Sequence, residues 1–495
     1  MKTTKRTATL LCGILWGVLA PASTAAQTPP LDDFVALASK DEKVAEAAAV
    51  RLSRAWEDRY AAMVIDLARF FRPAQRVTAE GPGEDGLVGE SDAQVAEPPG
   101  GGTREAMTVG TRSPEARIRS RLMRFLSKQT RKSFGDDLKA WRKWSWSLPE
   151  HPHPEYGTFK ARLYANVDPR MAAFFEGRTK PRIRLDEIDW GGVGVNGIPP
   201  LNQPKVASAA EAKFMGDKNV VFGIVVNGEA RAYPKRILAW HEMALDTVGG
   251  VKLAVVYCTL CGTVIPYETV VAGRSFTLGT SGLLYRSNKL MFDQETRSLW
   301  STIEGRPVLG PLAESSLTLK YRPVVTTTWK EWRAAHPDTT VLSLATGHER
   351  DYDEGVAYRS YFSHDELMFE VPDQDSRLKR KAEVVTFLAD SDRRPTPVAL
   401  DVSFLRRNTT HAFTAGGRSY VVLTTEGGAN RLYAAGESRF VRLAGDQVFD
   451  DQGNAWRVSE EGLAGPSGER LAREPSRRTF WFAWFSQFPD TLLIK

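Results

Sequence analysis

Residues 31–75 open with LDDFVALASKDEKVAEAAAVRLSRAW, in which apolar positions recur at helical spacing among Ala, Leu, Glu, Lys and Arg. Residues 76–112 break the pattern. They are rich in Gly, Glu and Pro and nearly free of bulky apolar side chains, so they bury too little surface to offset ordering and predict a flexible insertion. Helical spacing resumes at Ser113 with PEARIRSRLMRFLSKQ and runs on through KSFGDDLKAWRKWSWSL, where Leu138, Trp141 and Trp144 share one face as core residues. These segments predict a helical module over residues 31–165. From about Asp186 the texture changes to short β-type runs broken by Gly and Pro: VVFGIVV, KLAVVY, TVIPYETVV, RSFTLG, and later SYVVLTT, RLYAA and RFVRL. The expected fold class is therefore α+β, an α-helical N-terminal module followed by a mainly β domain.

That domain reads as an internal duplication, with repeats over residues 186–345 and 370–495. Trp329–Trp332 and Trp481–Trp484 both give Trp-x-x-Trp, four residues, then Pro-Asp-Thr. Upstream, MFDQETRSLW (291–300) parallels VFDDQGNAW (448–456), and KLAVVYCTLCGTVIPYE (252–268) parallels RSYVVLTTEGGANRLYA (418–434). The last pair sets Cys258 against Thr424 and Cys261 against Gly427, while Gly262 and Tyr267 keep counterparts in Gly428 and Tyr433. Shared landmarks, the four tryptophans and the recurring Asp293 and Asp450 among them, are expected to serve folding. Features confined to the first repeat are where chemistry is expected.

The N-terminus sharpens the chemical setting. Lys2, Lys5 and Arg6 precede a short apolar run from Ala8 to Ala20 and the small residues Ser23-Thr24-Ala25-Ala26. This is the pattern of a secretory signal over residues 1–26, and its run falls short of the ~20 apolar residues that span a bilayer. The reading is of a periplasmic or secreted protein with no transmembrane segment in the mature chain. Cleavage removes Cys12 and leaves Cys258 and Cys261 in an oxidising compartment. It also removes three of the formal +6 charges, leaving +3 on interspersed acids and bases, which is not the footprint of a nucleic-acid binder.

Cys-x-x-Cys here lies between two β-type runs, and Pro266 with β-branched neighbours excludes the helix N-terminus that activates thioredoxin-like thiols. A strand–turn–strand Cys-x-x-Cys-Gly is instead the form of a zinc knuckle, with glycine permitting the turn. Only one knuckle is present, so other ligands must come from elsewhere. His241, seventeen residues upstream, is the nearest imidazole; Glu242, Asp246 and Met291 are weaker candidates. His411 occupies a comparable place in the second repeat. A disulfide or redox pair, and plain structural thiols, remain alternatives. No nucleotide cofactor is expected, because the prolines after GGVGVNG (191–197) forbid the helix that would hold a pyrophosphate. GTSGL (279–283) lacks the final glycine of a nucleophile elbow.

Taken together, HEMALDTVGG, VVYCTLCGT and TSGLLYRSNKLMFDQETRSLWSTIEGRPVLGPL resemble the family known as domain of unknown function 3179. Its hallmarks are a Tyr-Cys-Pro-Leu-Cys-Gly stretch, a Ser-Gly-Leu-Leu segment and an Asp-x-x-Thr-x-Ser-x-Trp segment, and the resemblance runs from about Gly216 to Lys495. Thr259 replaces the proline between the cysteines, and Leu245 stands where the family's His-Glu-x-x-Asn-Asp stretch has asparagine. The resemblance implies that His241, Glu242, Asp246, Cys258 and Cys261 form a cluster; it lends no reaction. The expectation is an exported protein with a copper or zinc site on Cys258, Cys261 and His241. Thiol–disulfide exchange and a non-catalytic ligand-binding or scaffold role are the alternatives.

Overall fold

The computed structural model describes residues 28–71, 113–177, 179–390 and 394–495. The signal segment over residues 1–26 and the whole 76–112 insertion lie outside them. Six α-helices come first: Leu31–Ala36, Glu42–Arg54, Ala61–Arg69, Pro114–Thr130, Leu138–Trp146 and Tyr156–Ala165. Three begin at side-chain caps, where Asp41, Ser113 and Asp137 accept from backbone N–H groups of the first turn. Their apolar faces close on one core around Phe34, Leu52, Tyr60, Met63, Leu122 and Trp141.

A buried polar seam joins these helices to the β region. Lys160, fully buried, pairs with Asp66 at 2.7 Å and donates to the Ile188 carbonyl at 2.8 Å, while Tyr156 donates to Asp66 at 2.5 Å. Asp189, on the strand Ile188–Trp190, is held by Arg69 and by Arg142. That strand pairs antiparallel with Leu278–Tyr285, so the seam anchors the helices on the sheet that carries the hallmark Ser-Gly-Leu-Leu segment.

Beyond it the chain is mainly β. In one sheet Val325–Thr328, Val220–Val226 and Glu229–Pro234 run antiparallel in turn, then Thr340–Leu342 joins parallel to the third. In another, Arg477–Phe480, Glu383–Ala389, Thr396–Asp401 and Leu492–Ile494 repeat that order and those senses. Each third strand passes into a short helix, Lys235–His241 or Val402–Arg407, and then into a three-strand meander. The second meander opens an eight-stranded sheet whose edge strands, Thr410–Ala415 and Phe440–Ala444, meet to leave it nearly closed.

Residues matched between the two stretches of sequence make like contacts. Trp300 Nε1 donates to Asp293 at 2.8 Å and Trp456 Nε1 to Asp450 at 3.0 Å. Gly262 and Gly428 both take positive φ, +62° and +88°, a conformation that glycine adopts without a Cβ penalty. Trp329, Trp332, Trp481 and Trp484 are fully buried.

The two halves also exchange contacts. Phe480 N–H donates to the Cys261 carbonyl at 2.8 Å. In the reciprocal contact, Thr425 of the second half donates to Glu331 of the first at 2.6 Å. Each meander's turn thus packs beside the other half's tryptophan helix.

Candidate functional site

The strand Val251–Cys258 is buried without a break from Leu253 onward and ends on Cys258, which pairs across the hairpin with Thr263. Between them the chain turns tightly: Cys261 N–H donates to the Cys258 carbonyl at 3.1 Å, and Gly262 N–H to the Thr259 carbonyl at 3.2 Å. A Cβ on Gly262 would meet the Phe480 ring at 2.9 Å, so glycine is required there by space as well as by φ. This is the strand–turn–strand geometry that Pro266 and the β-branched residues predict. Cys258 and Cys261 are bonded to each other, with their Cα atoms 5.3 Å apart.

The disulfide is closed off from solvent, at 2% exposure for Cys258 and 0% for Cys261. Leu284, Tyr361, Val371, Phe480 and Phe482 surround it. Tyr361 belongs to the segment linking the halves, on the helix Arg359–Ser363, and its hydroxyl donates to the Leu260 carbonyl between the two cysteines at 2.8 Å. On another side lies the hairpin turn Arg286-Ser287, where both residues take positive φ, +49° and +60°. Such a conformation costs a non-glycine residue about 1 kcal/mol or more. Arg286 is held there by Glu187 at 2.6 Å and by the Ser486 carbonyl at 2.6 Å. The result is that the Ser287 carbonyl lies 3.7 Å from Cys261 Sγ. Thr259 Oγ1, Ser287 Oγ and Asn288 Oδ1, in this turn and that hairpin, are buried without hydrogen-bond partners.

The other predicted site residues go elsewhere. His241 ends its helix with both ring nitrogens engaged: Nδ1–H donates to the Pro199 carbonyl at 3.0 Å, and Nε2 accepts from the Tyr352 hydroxyl at 2.5 Å. The carbonyl fixes this tautomer. Burial pushes His241 down to about 4, against the Pro199 bond and with help from His348 and Arg350, so the ring is neutral. Glu242, in a left-handed helix cap at φ +55°, pairs with buried Lys289 at 3.0 Å. Burial lowers the Lys289 ammonium, with Glu242 opposing. Asp246 is bound by Arg231 at 2.7 Å and by the Tyr233 hydroxyl at 2.7 Å. Met291 packs in a separate apolar cluster with Met243, Val256 and Trp300.

The structure therefore unites only the two cysteines of the six candidates. Among the described residues no three His, Cys, Asp or Glu side chains are grouped to hold a metal ion. Joined in the S–S bond, neither sulfur carries the thiolate charge that binds copper or zinc, and the His241 lone pair is taken by Tyr352. As arranged, these side chains do not fit a metal. Sequence reasoning missed Tyr361, whose only local signal is the aromatic run YRSYF between the repeats, and Ser287, which acts through its carbonyl and so leaves no side-chain signature.

Residues 195–491 match a family model described as Protein of unknown function (DUF3179). No curated protein and no solved structure matches the chain.

Proposed function

The chain belongs to this family of unknown function, and from that premise we propose that it is an exported thiol–disulfide protein whose Cys258–Cys261 pair takes two electrons from a dithiol partner. One observation carries the reading: the two cysteines are bonded at a turn that the second half builds with Thr424 and Gly427. The reading also rests on an internal duplication, supported by four strands that share order and sense in the two sheets, the first of which adds Val206–Ser208 at its edge. A turn that folds without thiols in one copy has them in the other for chemistry.

The exchange balances as follows. A partner thiolate attacks Cys258 Sγ, forming a mixed disulfide and releasing Cys261 as a thiolate that takes one proton. The Ser287 carbonyl then accepts from the Cys261 thiol. The partner's second thiol attacks the mixed disulfide, closes the partner's own disulfide and frees Cys258, which takes the second proton. Access requires Tyr361 and its segment to swing away, so the pair reacts slowly while closed.

The test is peptide mapping of Cys258 and Cys261 after alkylation, on native protein with and without excess dithiothreitol and no denaturant. The reading expects neither cysteine alkylated before reduction and both after it. Thiols already free in exported protein, or a pair that resists reduction until the chain unfolds, would sink it. Copper or zinc bound by the protein as isolated would favour the metal expectation instead, and would require His241 to leave Pro199 and Tyr352.

A further inference from the structure

A cleft of about 580 Å³ opens between the linking segment and the second half's sheet. Phe362 and Phe480 give it an apolar wall, and six charged side chains line it: Asp365, Glu383, Asp401, Lys379, Lys381 and Arg406. The acids are already satisfied within the protein. Asp365 accepts from the backbone N–H groups of Lys381 at 2.9 Å and Arg380 at 3.1 Å. Asp401 caps the helix Val402–Arg407 through Ser403 N–H at 2.9 Å and Ser403 Oγ at 2.5 Å. Glu383 faces Arg478 at 3.5 Å.

The cations are not. Among the described residues Lys379, Lys381 and Arg406 have no carboxylate within 4.0 Å. Lys381 Nζ donates to the carbonyls of Tyr361 and, at 2.8 Å, His364. The ammonium also lies over the Tyr361 ring, 3.4 Å from its centroid, so it is solvated by neutral groups and carries no counter-charge. Burial brings Lys381 down to about 8, outweighing the more distant Asp365 and Glu366, as expected of a cation short of counter-charge.

We propose that this cleft binds a small organic carboxylate, its apolar body on Phe362 and Phe480 and its charged end on Lys381, with Lys379 and Arg406 flanking. The aromatic wall selects against a bare inorganic anion, and the unpaired cations select against an uncharged analogue. The proposal stands whether or not the disulfide cycles.

The test is calorimetric titration of the full chain with 3-phenylpropionate, its uncharged analogue 3-phenylpropanol, and inorganic phosphate. The acid is expected to bind one to one and about tenfold more tightly than the alcohol or phosphate, the factor that about 1.4 kcal/mol represents. Lys381→Gln should lose a similar factor. Arg406→Gln, an exposed change that leaves the fold intact, should weaken the acid severalfold and settles the matter if Lys381→Gln does not fold. No binding of the acid, equal binding of acid and alcohol, tighter binding of phosphate, or full affinity in a folded variant each overturns the proposal.

Discussion

Glu331, on the tryptophan helix of the first half, occupies the space that a β-carbon on Gly427 would take in the second half's turn. Gly427 aligns with Cys261, and Glu331 aligns with Ala483. At one junction a carboxylate fills the gap and bonds Thr425; at the other, Cys261 and Ala483 share one apolar cluster.

Gly427→Ala should therefore displace Glu331 and break its bond to Thr425. The expected loss is about 1 kcal/mol, because the carboxylate can swing aside and what goes is mainly its hydrogen bond to Thr425. Glu331→Ala in the same chain removes the clash, so a double-mutant cycle by urea unfolding should show favourable coupling. Additive losses would mean that the two residues do not compete for space.

Reduction of the disulfide should leave the protein folded. The bond closes a loop of only three residues' separation, and short loops restrict the unfolded chain least. A loss of about 2 kcal/mol is expected, read as a shift in the unfolding midpoint with dithiothreitol against without. Global unfolding on reduction would show instead that the pair holds the fold.

The Asp66–Lys160 pair should be costly to break and cheap to replace. Asp66→Ala strands a buried ammonium and should cost about 3–5 kcal/mol, much of it recovered by adding Lys160→Met. Burial pulls Lys160 down, but Asp66 and Tyr164 outweigh it and hold its pKa above the ordinary value. Its contribution is thus complete below the unfolded-chain pKa of 10.5 and lost as pH rises through the raised value. Guanidinium unfolding at mildly alkaline and strongly alkaline pH checks this against the double variant.

Acid should weaken the fold through His241. The unfolded ring takes a proton near 6.5, whereas the buried ring resists until about 4. Stability is full above the former and falls as pH drops toward the latter, by at most about 3 kcal/mol. His241→Leu should be less stable at neutral pH and flatter across that window. His336, also held down to about 4 by burial, retains its own share of the slope.

The parts of this protein legible in the sequence are those governed by near neighbours. Helical spacing in LDDFVALASK and PEARIRSRLMRF, β-branched runs, Pro266 and the turn at Gly262 act within a few residues, so pattern and backbone sterics suffice. The matched aspartates were legible for the same reason, since Asp293 and Trp300 lie seven residues apart and Asp450 and Trp456 six. Spacing also placed the thiols at the end of a strand rather than at the start of a helix.

Which side chains meet across the fold was a different matter. His241 has a metal ligand's chemistry, but its partners Pro199 and Tyr352 lie 42 and 111 residues away. Asp246 and Glu242 are likewise engaged by Arg231 and Lys289. The lid on the disulfide comes from Tyr361, 101 residues beyond Leu260. Sequence determined the turn and the two thiols on it, because local steric preferences set backbone conformation. Only the tertiary structure decided that the thiols meet each other rather than His241, because buried polar groups take the partners that long-range packing brings within hydrogen-bonding distance.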